Sequence, residues 1–270
     1  MNVRLDGCIR NWDWMGQDTA WISGALRDEP SRQCYRNVEP GSFLPGAGHA
    51  EFNTLSYAVR KPSAVGPSAE GDADGDGWRL QLRLELRPSR DQAVLVALVR
   101  NGTDAELTVA LTHAARGAVG TPARQQQLVP GVGVFVRKEL VLFQEAPSDG
   151  ARGPRAGGLC DGAWHSLGLS ATATSMRLEL DGVGHSKDGW ASVGALAEGG
   201  RRPVAALLTG AVRTCLGGLP DTVAFTAAPI SAYYAGCLRG IRVGGRALDL
   251  HEADHLHPGI RSHSCLPPLP

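Results

Sequence analysis

The sequence predicts an all-β protein, a β-sandwich of two antiparallel sheets with short helices. Three observations lead there. Apolar and polar residues alternate at period two in several short stretches, Gly-rich and Asp-Gly turns separate them, and helical periodicity is weak nearly everywhere.

The clearest strand has Trp78, Leu80, Leu82, Leu84 and Leu86 alternating with Arg79, Gln81, Arg83, Glu85 and Arg87, so one face is buried and the other wet. Ala93 to Val99 is apolar throughout, which suits a central strand covered on both sides. Asn101-Gly102 then offers a hairpin turn, after which Leu107, Val109 and Leu111 resume alternation. Met176, Leu178 and Leu180 alternate with Arg177 and Glu179 and close on Asp181-Gly182. Lys61 to Gly77 and Ala146 to Gly158 are rich in Gly, Pro, Ala and Asp and read as surface loops. Helical periodicity survives only near Val193 to Leu208 and Leu250 to Leu256.

Composition excludes several functions. With 270 residues and 43% apolar content the chain can bury a real core. Its 27 basic residues equal its 27 acidic ones, so no net field draws it to nucleic acid or to an acidic membrane. No stretch approaches the roughly 18 apolar residues of a membrane span, and direct membrane insertion is not expected. The first residues, Met1 to Asp6, also lack the apolar stretch of a signal peptide.

The six cysteines carry a near-repeat. Gly7-Cys8-Ile9-Arg10 is followed by Cys34, and Gly236-Cys237-Leu238-Arg239 by Cys265, as if one secreted domain's ending occurred twice. Each cluster is expected just after the last residues of a strand. The paired spacings favour an oxidising compartment, so the chain reads as the C-terminal part of something longer that is exported.

Several segments then resemble one family. Cys160-Asp161-Gly162-Ala163-Trp164-His165 is followed by Met176-Arg177-Leu178-Glu179-Leu180-Asp181-Gly182, Leu216-Gly217-Gly218-Leu219-Pro220, Tyr234-Ala235-Gly236-Cys237-Leu238-Arg239-Gly240-Ile241 and Leu248-Asp249-Leu250. In this order, over most of residues 35 to 265, they resemble the laminin G-like (sex hormone-binding globulin-like) domain, a jelly-roll β-sandwich. The Trp is then expected to fill the space between the sheets, and the Asp-Gly turns to use positive φ. Arg10-Asn11-Trp12-Asp13-Trp14, Gly41 to Gly48 and Ile260 to Cys265 are similar to the growth arrest-specific and protein S branch of that family.

The resemblance implies a domain plan and a function. Residues 1–34 would be the C-terminal remnant of a first laminin G-like domain and 35–270 a complete second one. Cys8 would bridge Cys34, and Cys237 would bridge Cys265, each worth about 3 to 4 kcal/mol. Cys160 would have its partner upstream of this chain, and Cys215 departs from the family pattern. Whether these two bridge each other or remain buried free thiols stays open. The implied function is a non-catalytic binding and structural module of a secreted, extracellular ligand, with ectodomains of Axl, Tyro3 and Mer type receptor tyrosine kinases and the upstream laminin G-like domain as partners. The alternative is a carrier of steroids or small apolar ligands, which needs an apolar pocket between the sheets.

Calcium is implied for full-length relatives, between their two laminin G-like domains, by an Asp where His251 stands and a backbone carbonyl at the position of Arg4. Calcium prefers hard oxygen ligands, so His251 predicts a lost or much weakened site.

Three further motifs receive the plainer reading, and a fourth keeps its functional one. His251-Glu252-Ala253-Asp254-His255 fits the H-E-x-x-H of zinc hydrolases, but Pro258 stops it early and no Glu follows Glu252 to complete the ligands. Asp72 to Gly77 imitates the start of a calcium loop, yet position twelve is Arg83. Glu179 and Asp181 have the spacing of glycosidase carboxylates, but Gly184 stands where a third acid belongs. Asn101-Gly102-Thr103 is an N-glycosylation sequon on an expected hairpin tip. With no G-x-S-x-G elbow either, no enzyme is expected.

Overall fold

The computed structural model describes residues 39–53, 59–60, 79–100, 104–116, 127–147, 158–172, 175–188, 212–223, 230 and 232–265. The chain divides into two compact units, Met1–Val38 and Glu39–Pro270. The described residues all belong to the second.

That unit is a sandwich of two antiparallel sheets, as the alternation predicts. The first sheet runs β1 (Ser42–Pro45), β13 (Ala235–Val243), β4 (Arg79–Pro88), β9 (His165–Thr172), β10 (Ser175–Leu180) and β11 (Val183–Asp188), with β3 (Val59–Arg60) beside β4 and β14 (Arg246–Ala247) beside β13. The second runs β15 (His255–Leu256), β2 (Ala50–Asn53), β12 (Val212–Leu216), β5 (Ala93–Arg100), β6 (Asp104–Arg116), β7 (Gln127–Val136) and β8 (Glu139–Glu145).

Period-two patterning builds the core between them. On β4, Leu80, Leu82, Leu84 and Leu86 point inward and are buried, while Gln81 and Arg83 are exposed. Leu167 and Leu169 of β9 and Met176, Leu178 and Leu180 of β10 extend this apolar floor. Across the gap stand Val96, Leu98, Leu107, Val109, Val132 and Val134. Each such side chain contributes about 1.5–3 kcal/mol on leaving water. The largest fully buried side chain among the described residues is Tyr234, whose hydroxyl donates to the Cys237 carbonyl at 2.9 Å.

β5 is buried on both faces, as its unbroken apolar run predicts. Val94, Ala97 and Val99 turn away from the main core and form a second cluster with Ala105, Cys215, Leu219 and Val223. β6 departs from the expected alternation for the same reason. Ala105 to Leu111 are all buried, and even Glu106 lies inside, neutralised by Arg100 at 2.8 Å and Arg137 at 3.2 Å.

Three local expectations need correction. The Gly236-Cys237 cluster lies at the beginning of β13, not after the end of a strand. The tight approach of β13 to β4 explains its glycine, since a Cβ at Gly236 would meet the Arg87 carbonyl and the Pro88 Cα. Leu250 to Leu256 holds one 3-10 turn, Leu250–Glu252, capped by Asp249, and then strand β15, because backbone pairing with β2 outcompetes the weak helical pattern. Trp164 does not fill the space between the sheets. It sits half-buried just before β9, and leucines fill the interior instead. The Asp181-Gly182 turn does take positive φ at both residues, 51° and 80°, as a tight hairpin requires. Val193 to Leu208 and Lys61 to Gly77, with the acidic Asp72 to Gly77, lie outside the described residues, as does most of Ala146 to Gly158.

Candidate functional site

The family-like motifs converge on one corner of the first sheet. Cys237 and Cys265 are joined by a disulfide, Cα to Cα 5.8 Å, across 28 residues. The Glu39 N–H donates to the Cys265 carbonyl at 3.0 Å, tying the start of the domain to its end. Glu39 in turn accepts from Trp164 Nε1 at 2.9 Å and from Arg87 at 2.8 Å. Two guanidinium groups lie over the indole, Arg239 at 4.1 Å and Arg87 at 4.9 Å from the ring centroid. Arg239 also pairs with Glu85 at 2.6 Å. The Trp164 hydrogen bond and both arginines hold the Glu39 carboxyl below its ordinary range, against a desolvation that raises it.

The histidine of the same motif closes a second junction. His165 Nδ1 lies 2.7 Å from Asp181 and its Nε2 lies 3.1 Å from Asp161. Asp181 also accepts the Ser166 N–H and Asp161 the Ala163 N–H, both at 2.7 Å. Cys160-to-His165 and the Asp181-Gly182 turn, 15 and more residues apart in sequence, are thereby locked together. These charge-assisted bonds build scaffold, and they leave little of the motif for chemistry.

The sequence-predicted sites divide as follows. Cys237 and Cys265 are bonded. Cys8, Cys34, Arg4 and Asn101 lie outside the described residues. Cys160 and Cys215 are both free, Cys215 buried on the outer cluster and Cys160 exposed. The picture of two buried thiols therefore holds only for Cys215, because Cys160 stands at the rim before β9. Burial, with Asp91 and Asp161 nearby, pushes the Cys160 thiol up to about 11, and burial raises Cys215 further.

Neither carboxylate pair nor H-E-x-x-H assembles. Glu179 pairs with Arg177 at 2.6 Å on the outer face of β10, while Asp181 is spent on His165 and Ser166. His251 lies in the 3-10 turn and His255 in a strand, so the helical stacking that would bring the two imidazoles to one metal is missing. The residues at the calcium position do not fit that ion either. His251 offers nitrogen, and the nearby Asp249 is engaged by His263 at 3.1 Å and by the His251 N–H.

Sequence reading missed the clamp on Trp164. Its signals were partly available, since Arg239 belongs to the Gly-Cys-apolar-Arg cluster, but Arg87, expected on the wet face of its strand, is in fact buried under these contacts. What pairs them is the register Cys237↔Arg87, which no local pattern reveals.

This sandwich, with its C-terminal staple and its Asp-Gly hairpin, is a laminin G-like domain. Residues 141–246 match the profile of the Laminin G domain. The chain is 31% identical to growth arrest-specific protein 6 of Mus musculus over 99% of its length and 29% identical to vitamin K-dependent protein S of Oryctolagus cuniculus over 98%. In each case it spans only 35% of the relative. Among solved structures, domains LG4-5 of the mouse laminin α1 chain share the fold with a TM-score of 0.53 and 23% identity, covering 87% of this chain and 49% of that one. No helix among the described residues is long and apolar enough to cross a membrane.

Proposed function

We propose that this chain is the C-terminal laminin G-like part of a secreted ligand of Axl, Tyro3 and Mer type receptor tyrosine kinases, acting as a non-catalytic extracellular module. The observation that carries the reading is the similarity to growth arrest-specific protein 6 across 99% of the chain. In this reading residues 1–34 end a first laminin G-like domain, and residues 35–270 form the second. The second domain serves as a stapled scaffold: its motif residues, Trp164, His165, Asp161 and Asp181, are consumed in internal contacts. Receptor contact then depends chiefly on the domain that precedes it. Glycosylation at Asn101 and a Cys8–Cys34 bridge belong to the same proposal.

The steroid-carrier alternative gains no support from the interior among the described residues. One gap between the sheets, lined by Leu80, Leu82, Val96, Leu98, Leu107, Leu169 and Val243, is a cavity of only about 10 Å³, room for a single water molecule at most. Ligand pockets begin at about 300 Å³. Surface plasmon resonance of the purified chain over the three immobilised ectodomains tests the receptor reading. Saturable binding to one of them supports it, and silence with all three removes receptor contact from this chain.

A further inference from the structure

The strand that breaks the H-E-x-x-H helix gives His255 a different neighbour. β15 pairs with β2, placing His255 opposite Glu51, and its ring comes within 5.5 Å of the His49 ring, centroid to centroid, tilted by 43°. His49 is buried and held from two sides. Its Nε2 lies 3.0 Å from Glu51 Oε1, while the other Glu51 oxygen accepts from Arg213 at 2.8 Å. Its ring also lies parallel to that of Tyr233, 8° between planes and 6.4 Å apart. Burial tends to raise the Glu51 carboxyl, but the bonds from His49 and Arg213 outweigh it and keep the group below its ordinary range.

With Arg213 donating to its other oxygen, Glu51 takes its contact from His49 through Nε2, which in the neutral ring leaves Nδ1 with its lone pair. This is the carboxylate-behind-histidine arrangement that orients metal ligands. Two imidazoles on one tetrahedral ion, each nitrogen about 2.1 Å from it, hold their ring centroids about 5 Å apart, close to the spacing here. His257 does not join them, because its Nδ1 accepts the Gly259 N–H at 3.1 Å and its other nitrogen is then protonated. No group of three His, Cys, Asp or Glu side chains that could hold a metal is gathered among the described residues. The remaining coordination positions are therefore left to water or to a donor from a second molecule.

We propose that His49 and His255 form a two-imidazole site for a divalent transition metal ion, zinc foremost, at the β2–β15 edge. Paired imidazoles favour zinc, copper or nickel over calcium. The inference is independent of the receptor reading. Its test is calorimetric titration of the tag-free chain with zinc chloride at pH 7.5, with calcium chloride as the contrast. One equivalent of zinc is expected, with no heat from calcium. His255→Ala, at an exposed position, should weaken zinc binding about tenfold or more, whereas His251→Ala and Cys160→Ser should leave it unchanged. Absence of zinc binding overturns the proposal. So does His255→Ala binding like the parent, or an equal loss in either control, which would reduce the His49–His255 contact to ring stacking.

Discussion

Replacing Trp164 tests the corner that ties the domain's start to its end. Trp164→Phe keeps an aromatic ring for Arg87 and Arg239 to cover but deletes the N–H given to Glu39. Glu39 is 36% exposed and keeps Arg87, so water replaces the lost donor and the cost is about 1 kcal/mol. Trp164→Ala also removes both cation–π contacts. The one to Arg87, whose side chain is only 8% exposed, is worth up to about 2 kcal/mol, and the one to the half-exposed Arg239 about 0.5–1. Added to the hydrogen bond, these put the expected total at about 3–4 kcal/mol before any loss of apolar packing. Urea denaturation followed by circular dichroism reads both values from midpoints at a shared slope. A Trp164→Ala loss below about 0.5 kcal/mol, the range of an ordinary surface substitution, would refute the clamp. Equal losses in the two variants would refute the division between hydrogen bond and ring.

Other predictions follow from the same contacts. Cys265→Ser opens the loop closed by the Cys237 bridge and should cost about 3–4 kcal/mol in the same urea assay. Glu39 and Glu51 have lowered folded-state values, so their stabilisation is full above the ordinary 4.5 and is lost as pH falls through the depressed folded values. Urea midpoints at pH 7 and pH 3 should show this loss, and Glu51→Gln should shrink it; an unchanged midpoint difference would contradict the assignment. Alkylation mapped by mass spectrometry should label exposed Cys160 slowly at pH 8, because its thiol is pushed up to about 11, and Cys215 only after unfolding. Labelling of Cys215 in the native chain would contradict its burial.

The strands were legible because their signal is local. Leu80 to Leu86 alternates cleanly, and the Ala93 to Val99 run marks a strand with no wet face. The family motifs were equally legible, since Asp181-Gly182 has the chemistry of the turn it makes. What could not be read is what depends on register. Trp164 looked like filling for the interior, yet its partners Glu39, Arg87 and Arg239 come from three distant segments. His251 and His255 looked like neighbours on a helix until pairing with β2 turned His255 toward His49. β6 appeared half-exposed because the residues that cluster with Ala105 on its other face, Leu219 and Val223, follow more than a hundred positions later.

The central claim is that this module belongs to a receptor ligand and contributes scaffold more than contact. The most direct measurement compares residues 1–270 alone with the same chain joined to the laminin G-like domain proposed to precede it, each flowed over the Axl, Tyro3 and Mer ectodomains. The joined form should bind at least one of them about tenfold or more tighter than the chain alone, a difference of about 1.4 kcal/mol. Silence of both forms on all three ectodomains would contradict the account.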